Sequence, residues 1–221
     1  MKRFLMRFSV LLMLVAFAAP YQSQAQSDVR FGVRVGPAFT EINGLRLASP
    51  RTGYSAGAFV SLNLRNLGVL NVEANYVQKG YKVQFDEFLD LNGEQLLGNV
   101  DADFKLNYLE LPVLLNLKVP IAPSLSPDLF FGGALSFLLS EEVSFENTEP
   151  EDQGNFVTDQ PLFDGVDFGL VIGLRLNRPV GSRIVSLEGR YTLGVVNLTD
   201  DGLLGETLHN QALVVGFGFT L

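Results

Sequence analysis

His209 is the only imidazole in this chain of 221 residues, and no cysteine accompanies it. Any acid–base or nucleophilic chemistry must therefore be built from this histidine, from carboxylates or from hydroxyls. Asp200 and Asp201 lie a few residues upstream and serines are plentiful. A Ser-His-Asp hydrolase, however, needs a base oriented by a carboxylate and within reach of one nucleophile, and no motif here imposes that geometry. His209 reads as an exposed loop residue. Glu73, Glu110 and Glu188 offer a second chemistry, as paired acid and base. Their strand-borne neighbours Arg34, Arg175 and Arg190 make structural ion pairs the stronger reading. No catalytic residue is assigned.

The absence of cysteine removes thiolate zinc sites, iron–sulfur clusters and disulfide scaffolds. Oxygen ligands remain for a hard cation. Asp86, Glu87, Asp90, Glu94, Asp101 and Asp103 cluster without a base, as do Glu141, Glu142, Glu146, Glu149, Glu151, Asp152, Asp159 and Asp164. Calcium or magnesium could bridge such loops to lipopolysaccharide phosphates. Their spacing fits no EF-hand, and Asp90-Leu91-Asn92-Gly93 is too short a match. Solvated acidic loops are expected, with no metal and no cofactor. The formal net charge of −8 excludes nucleic acid as a partner, because phosphate binding needs clustered bases.

The chain starts with an export pattern. Lys2, Arg3 and Arg7 precede an apolar run from Phe8 to Ala19, and Gln22-Ser23-Gln24-Ala25 ends it with small residues at alternate positions. That run is shorter than the roughly 17 to 25 residues of a spanning helix. A signal peptide over 1–25, cleaved after Ala25, is expected, with one domain over 26–221. Its removal takes away three bases and no acids, so the exported product is strongly acidic.

Period-2 alternation rich in Val, Leu, Phe and Tyr fills the remainder, and sustained period-3.6 spacing is absent. Eight strands are expected near 29–39, 54–64, 69–79, 105–118, 129–139, 166–177, 184–196 and 211–221. Their connections alternate strictly. Arg65 to Gly68, Val119 to Asp128 and Asn177 to Arg183 are short, whereas 40–53, 80–104, 140–165 and 197–210 are long and polar. An all-β, eight-stranded antiparallel up-and-down transmembrane barrel, with short periplasmic turns and long extracellular loops, has this rhythm.

Every long strand has one aliphatic face and one polar face. Leu109, Leu111, Val113, Leu115 and Leu117 alternate with Tyr108, Glu110, Pro112, Leu114, Asn116 and Lys118. The polar faces collect Arg34, Glu73, Lys79, Glu110, Lys118, Asp167, Arg175, Glu188 and Arg190, five bases and four acids. Their near-neutrality implies an internal ion-pair network in a narrow lumen. A secreted lipocalin-like barrel would turn the same two faces the other way, around an apolar ligand. Two aromatic belts favour the membrane. Phe31, Phe131, Phe217 and Phe219 fall near one end, and Phe39, Tyr54, Tyr76, Phe137, Phe168 and Tyr191 near the other. The end of the last strand, with Phe217, Phe219 and Leu221, resembles the signal read by the outer-membrane barrel assembly machinery.

Four segments carry a family resemblance: Asn75-Tyr76-Val77-Gln78-Lys79-Gly80, Lys105 to Pro112, Asp167-Phe168-Gly169-Leu170 and Arg190-Tyr191-Thr192-Leu193-Gly194. Together they resemble the PorT-like outer-membrane β-barrels of Bacteroidetes, over essentially the whole exported chain. Tyr108-Leu109-Glu110-Leu111-Pro112 is the most specific of them. The resemblance implies an integral outer-membrane protein of the porin-family type, in a group whose founding member is associated with secretion of surface proteins. The function expected is a non-enzymatic structural or interaction role. Outer-membrane lipid, lipopolysaccharide, the assembly machinery and a surface or secretion-system protein are the expected partners. An enzyme acting on membrane lipid is the alternative.

Overall fold

The computed structural model describes residues 29–44, 48–64, 67–85, 88–89, 95–96, 100–119, 126–147, 154–156, 165–196 and 208–221. The expected signal peptide, Asp200, Asp201 and most of the acidic loop residues lie outside them. Eight long strands make the wall: β1 Val29–Asn43, β2 Ala48–Asn63, β3 Val69–Phe85, β4 Val100–Lys118, β5 Ser126–Asn147, β6 Val166–Val180, β7 Arg183–Gly194 and β8 His209–Thr220. Each pairs antiparallel with its chain neighbours, and β1 pairs with β8 from Gly32 opposite Thr220 to Asn43 opposite His209. The sheet is thereby closed into a barrel. A short strand, Gly154–Phe156, adds to the far end of β5, and Phe88–Leu89 pairs with Gln95–Leu96.

The turns at one end are tight because their residues permit it. Gly68 and Gly181 have φ of 112° and 61°, a left-handed conformation that glycine reaches without a Cβ penalty. Between Val180 and Arg183 the connection is a two-residue turn, shorter than expected.

The aliphatic face points outward on every long strand. Ile172 is 62% exposed and Phe217 56%, whereas Arg175 and Glu188, on the alternate parity, are buried. This orientation removes the lipocalin-like reading: the faces a ligand would need are on the outside. Both expected aromatic belts face outward too, with Phe31, Phe131 and Phe217 exposed at one end and Phe39, Tyr54, Phe168 and Tyr191 at the other.

One expectation needs correction. The links 40–53, 80–104 and 140–165 are not loops from end to end, because β1 to β5 run on well beyond the aromatic belt. There the alternation continues with its polarity reversed. Ile42, Tyr81, Val83, Leu106, Tyr108 and Leu208 pack together inside, with Ala48, Phe104 and Leu138 against them. Asp103, Lys105 and Asn107 take the opposite face of β4, and Lys105 pairs with Glu142 across the strands at 2.9 Å. Above the lipid the wall meets water, so its outside is polar and its inside is a dry core. A bulge in β5 at Leu139, opposite the step from Asn107 to Tyr108, marks the change.

A closed barrel with this outer band keeps its structure in detergent until it is heated. Unboiled protein should therefore migrate differently from boiled protein on a gel. A protein that is soluble without detergent and shows no shift would overturn the orientation of the faces.

Candidate functional site: the polar interior

The interior is organised around charges that meet across the barrel axis. β3 and β7 stand on opposite sides of the wall, four strands apart. Yet Arg190 Nη2 of β7 lies 2.7 Å from Glu73 Oε2 of β3 and 2.9 Å from Glu188 Oε1. Arg34 Nη1 donates to both oxygens of Glu73, at 3.0 and 3.1 Å, and its Nη2 lies 3.3 Å from Glu188. Arg175 completes the group, 2.7 Å from Glu188 and 3.8 Å from Glu73. All five residues are nine-tenths or more buried. Three guanidinium groups around two carboxylates leave one net positive charge.

Uncompensated ions in such a place would each cost several kcal/mol. Compensation comes from geometry and from aromatic faces. Arg34 lies 4.9 Å from the centroid of the Phe59 ring, and Arg175 and Arg190 lie 5.1 and 5.5 Å from that of Phe130. Asn75 donates to Glu73 at 3.1 Å, and Arg175 donates to Asn116 Oδ1 at 3.1 Å. Glycine makes the room. A Cβ on Gly32 would fall 2.2 Å from the Phe59 ring, and one on Gly173 equally close to that of Phe130. Both glycines sit directly opposite their aromatic partner in the neighbouring strand. The glycines of β8 serve similarly, since a Cβ on Gly216 would meet the Arg34 chain at 2.9 Å.

Smaller polar groups lie towards the extracellular side. Lys79 Nζ is 3.1 Å from Glu110 and 5.0 Å from the ring centroid of Tyr108. Asn210 donates to Asp167 at 3.0 Å and to the Tyr108 hydroxyl at 3.4 Å. The dry core described above then covers them. Higher up, Arg51 binds Asp103 at 2.7 Å and begins a hydrogen-bonded chain through Gln78, Asn107 and Ser140 across β2 to β5.

Eight of the nine polar-face residues expected in the lumen are thus buried there. Lys118 is the exception. It is exposed at the short-turn end, because β4 ends on it and its side chain reaches the mouth. Sequence reasoning missed Phe59 and Phe130, which turn inward while Tyr54 and Phe131 on the same strands turn outward. The signal was their parity, opposite glycine. It also missed Asn71, Asn116 and Asp128 near the mouth, and Arg51 above. Phe217 and Leu221 of the expected assembly signal face outward, while Phe219 is half-buried.

Ser136 Oγ donates to Glu110 Oε2 at 3.4 Å, but both are buried in the wall and the same carboxylate oxygen is held by Lys79 at 3.1 Å. His209 Nδ1 lies 3.1 Å from the backbone carbonyl of Val196. Among the described residues no group of three His, Asp or Glu side chains could hold a metal ion.

Glu110→Ala, which strands the buried Lys79 ammonium, should destabilise the barrel by about 3–5 kcal/mol. Lys79→Met combined with Glu110→Leu should recover most of that loss. Thermal unfolding in detergent measures both, and an unchanged transition for Glu110→Ala would remove the stabilising role of the pair. Gly173→Val should cost about 1–3 kcal/mol by displacing Phe130, read in the same experiment.

A family profile described as outer membrane protein beta-barrel domain matches residues 22–200. Several solved structures align with the chain at low identity. The attachment invasion locus protein Ail of Yersinia pestis is 13% identical, with 87% of this chain and 98% of that one covered, at a TM-score of 0.40. OprG of Pseudomonas aeruginosa is 14% identical, with 90% and 99% covered, at 0.41. The outer membrane protease OmpT of Escherichia coli is 10% identical, with 91% and 98% covered, at 0.46. No curated protein matches the chain. A closed antiparallel barrel, apolar outside and polar within, and a profile match over most of the length lead to one assignment: the chain belongs to the outer membrane protein beta-barrel domain family.

Proposed function

We propose that this outer-membrane barrel is a non-enzymatic, non-conducting protein with a structural or interaction role. The occlusion of its lumen carries the reading. The five buried charges joined across the axis, together with Phe59 and Phe130, fill the barrel in the membrane band, and the dry core fills it above. A solute crossing here would have to break paired ions that have no water to replace their partners.

The non-enzymatic part is supported by the placement of the titratable groups. Glu73, Glu110 and Glu188 are each engaged by Arg or Lys at 3.1 Å or less, which suits a scaffold better than proton transfer to a substrate. Export by a signal peptide cleaved after Ala25 and membership of the PorT-like group of Bacteroidetes belong to the same reading, on the motifs given above. In that group a link to protein secretion follows, through a surface or secretion-system partner. Phe217, Phe219 and Leu221 are the segment offered to the assembly machinery, and the outward aromatic belts face lipid and lipopolysaccharide.

Purified barrel inserted into a planar bilayer should give no steady conductance at neutral pH. A stable ohmic channel from the unaltered protein would overturn the occluded-lumen reading.

A further inference from the structure

The short-turn end of the lumen is open where the other end is packed. A cavity of about 170 Å³ lies there, and residues of all eight strands line it. It has room for about six water molecules, taking roughly 30 Å³ for each, or for one small organic molecule. Its floor is the Arg175 side of the charge cluster, and its walls carry polar groups that the barrel itself leaves unused.

Asn71 is the first of these. It is fully buried, lines the cavity, and neither its amide nitrogen nor its amide oxygen has a hydrogen-bond partner. Burying an amide without partners is costly, so it normally persists where something else completes it. Asp128 is the second. One carboxylate oxygen accepts from Asn177 at 2.6 Å, and the other, equally buried, has no hydrogen-bond partner. Arg30 and Lys118 are the third element: both line the cavity from exposed positions, neither lies within ion-pair distance of a described carboxylate, and Lys118, opposite Asp128 in the neighbouring strand, acts on it only through space.

We propose that this vestibule binds a zwitterionic ligand of amino-acid or dipeptide size. Its ammonium group donates to the open oxygen of Asp128. Its carboxylate is held by Arg30 and Lys118 at the mouth. In a dipeptide, the peptide group between them satisfies Asn71 twice, accepting from the amide nitrogen and donating to the amide oxygen. A simple anion would answer the two cations and leave Asp128 and Asn71 unsatisfied; a simple cation would leave Arg30 and Lys118 unmatched. The proposal does not depend on the occluded lumen, because the cavity lies on one side of the charge cluster.

The test uses the full barrel in detergent with alanine, dialanine, acetate and methylammonium as probes, read by ligand-observed NMR and by the shift of the unfolding temperature. Alanine or dialanine should bind, and acetate and methylammonium should bind at least about tenfold more weakly, as expected when a charge-assisted hydrogen bond is lost. Dialanine should bind more tightly than alanine, which lacks the peptide group that Asn71 takes, and equal binding of the two would overturn the role given to Asn71. Asp128→Asn and Lys118→Ala should each weaken zwitterion binding by a similar factor. Lys118 is exposed, so that variant keeps its heat-modifiable migration and separates lost binding from lost folding. Absence of binding by both zwitterions, acetate binding as tightly as they do, or zwitterion binding unaffected by Asp128→Asn and Lys118→Ala would each overturn the proposal.

Discussion

Closure of the sheet between β1 and β8 is the constraint on which the rest of this molecule depends. In hydrocarbon no water is available to the backbone, so each open strand edge would leave a row of unpaired N–H and C=O groups. Pairing Gly32 to Asn43 with His209 to Thr220 removes both edges at once. With eight strands the ring it makes is narrow. Everything inside it must then fit within a few side-chain lengths, which is why Arg190 on one wall reaches Glu73 on the opposite one.

That narrowness converts a liability into a core. Charged groups cannot face lipid, so they collect inside, where water is also scarce. Their cost is offset by mutual pairing, by the faces of Phe59 and Phe130, and by amides from Asn75 and Asn116. Glycine is the necessary counterpart. Gly32 and Gly173 have no side chain because an aromatic ring from the next strand lies over them, and Gly216 leaves space for Arg34. Phe59, Phe130 and Arg34 are thus each set against a glycine, which leaves room for them in a close-packed narrow ring.

The reversal of polarity along the strands follows from the same physics in a different solvent. Below the upper aromatic belt the outside is lipid and the odd-numbered residues from Leu109 to Leu117 face it; above the belt the outside is water and Lys105 and Asp103 face it. The chain changes nothing but the phase of its alternation, helped by a bulge opposite Asn107. One end of the barrel is consequently closed by a dry core. The other, at the tight turns, keeps a polar cavity in which Asn71 and Asp128 retain unused hydrogen-bonding capacity.

Period-2 alternation, the strict sequence of short and long connections and the two aromatic belts were enough to specify eight antiparallel strands, because these signals are local to each strand. The same local parity placed Arg34, Glu73, Lys79, Glu110, Asp167, Arg175, Glu188 and Arg190 on inward faces. It could not say which of them would meet. Glu73 and Arg190 are 117 residues apart, and only the curvature and register of the closed wall bring them to 2.7 Å. Nor did parity reveal that β1 to β5 continue past the belt, since polar residues on an outer face look like loop until the core inside them is seen. Alternation is a property of neighbours in the chain; pairing across a lumen and the choice of solvent outside the wall are properties of the closed barrel, and the tertiary structure alone decided them.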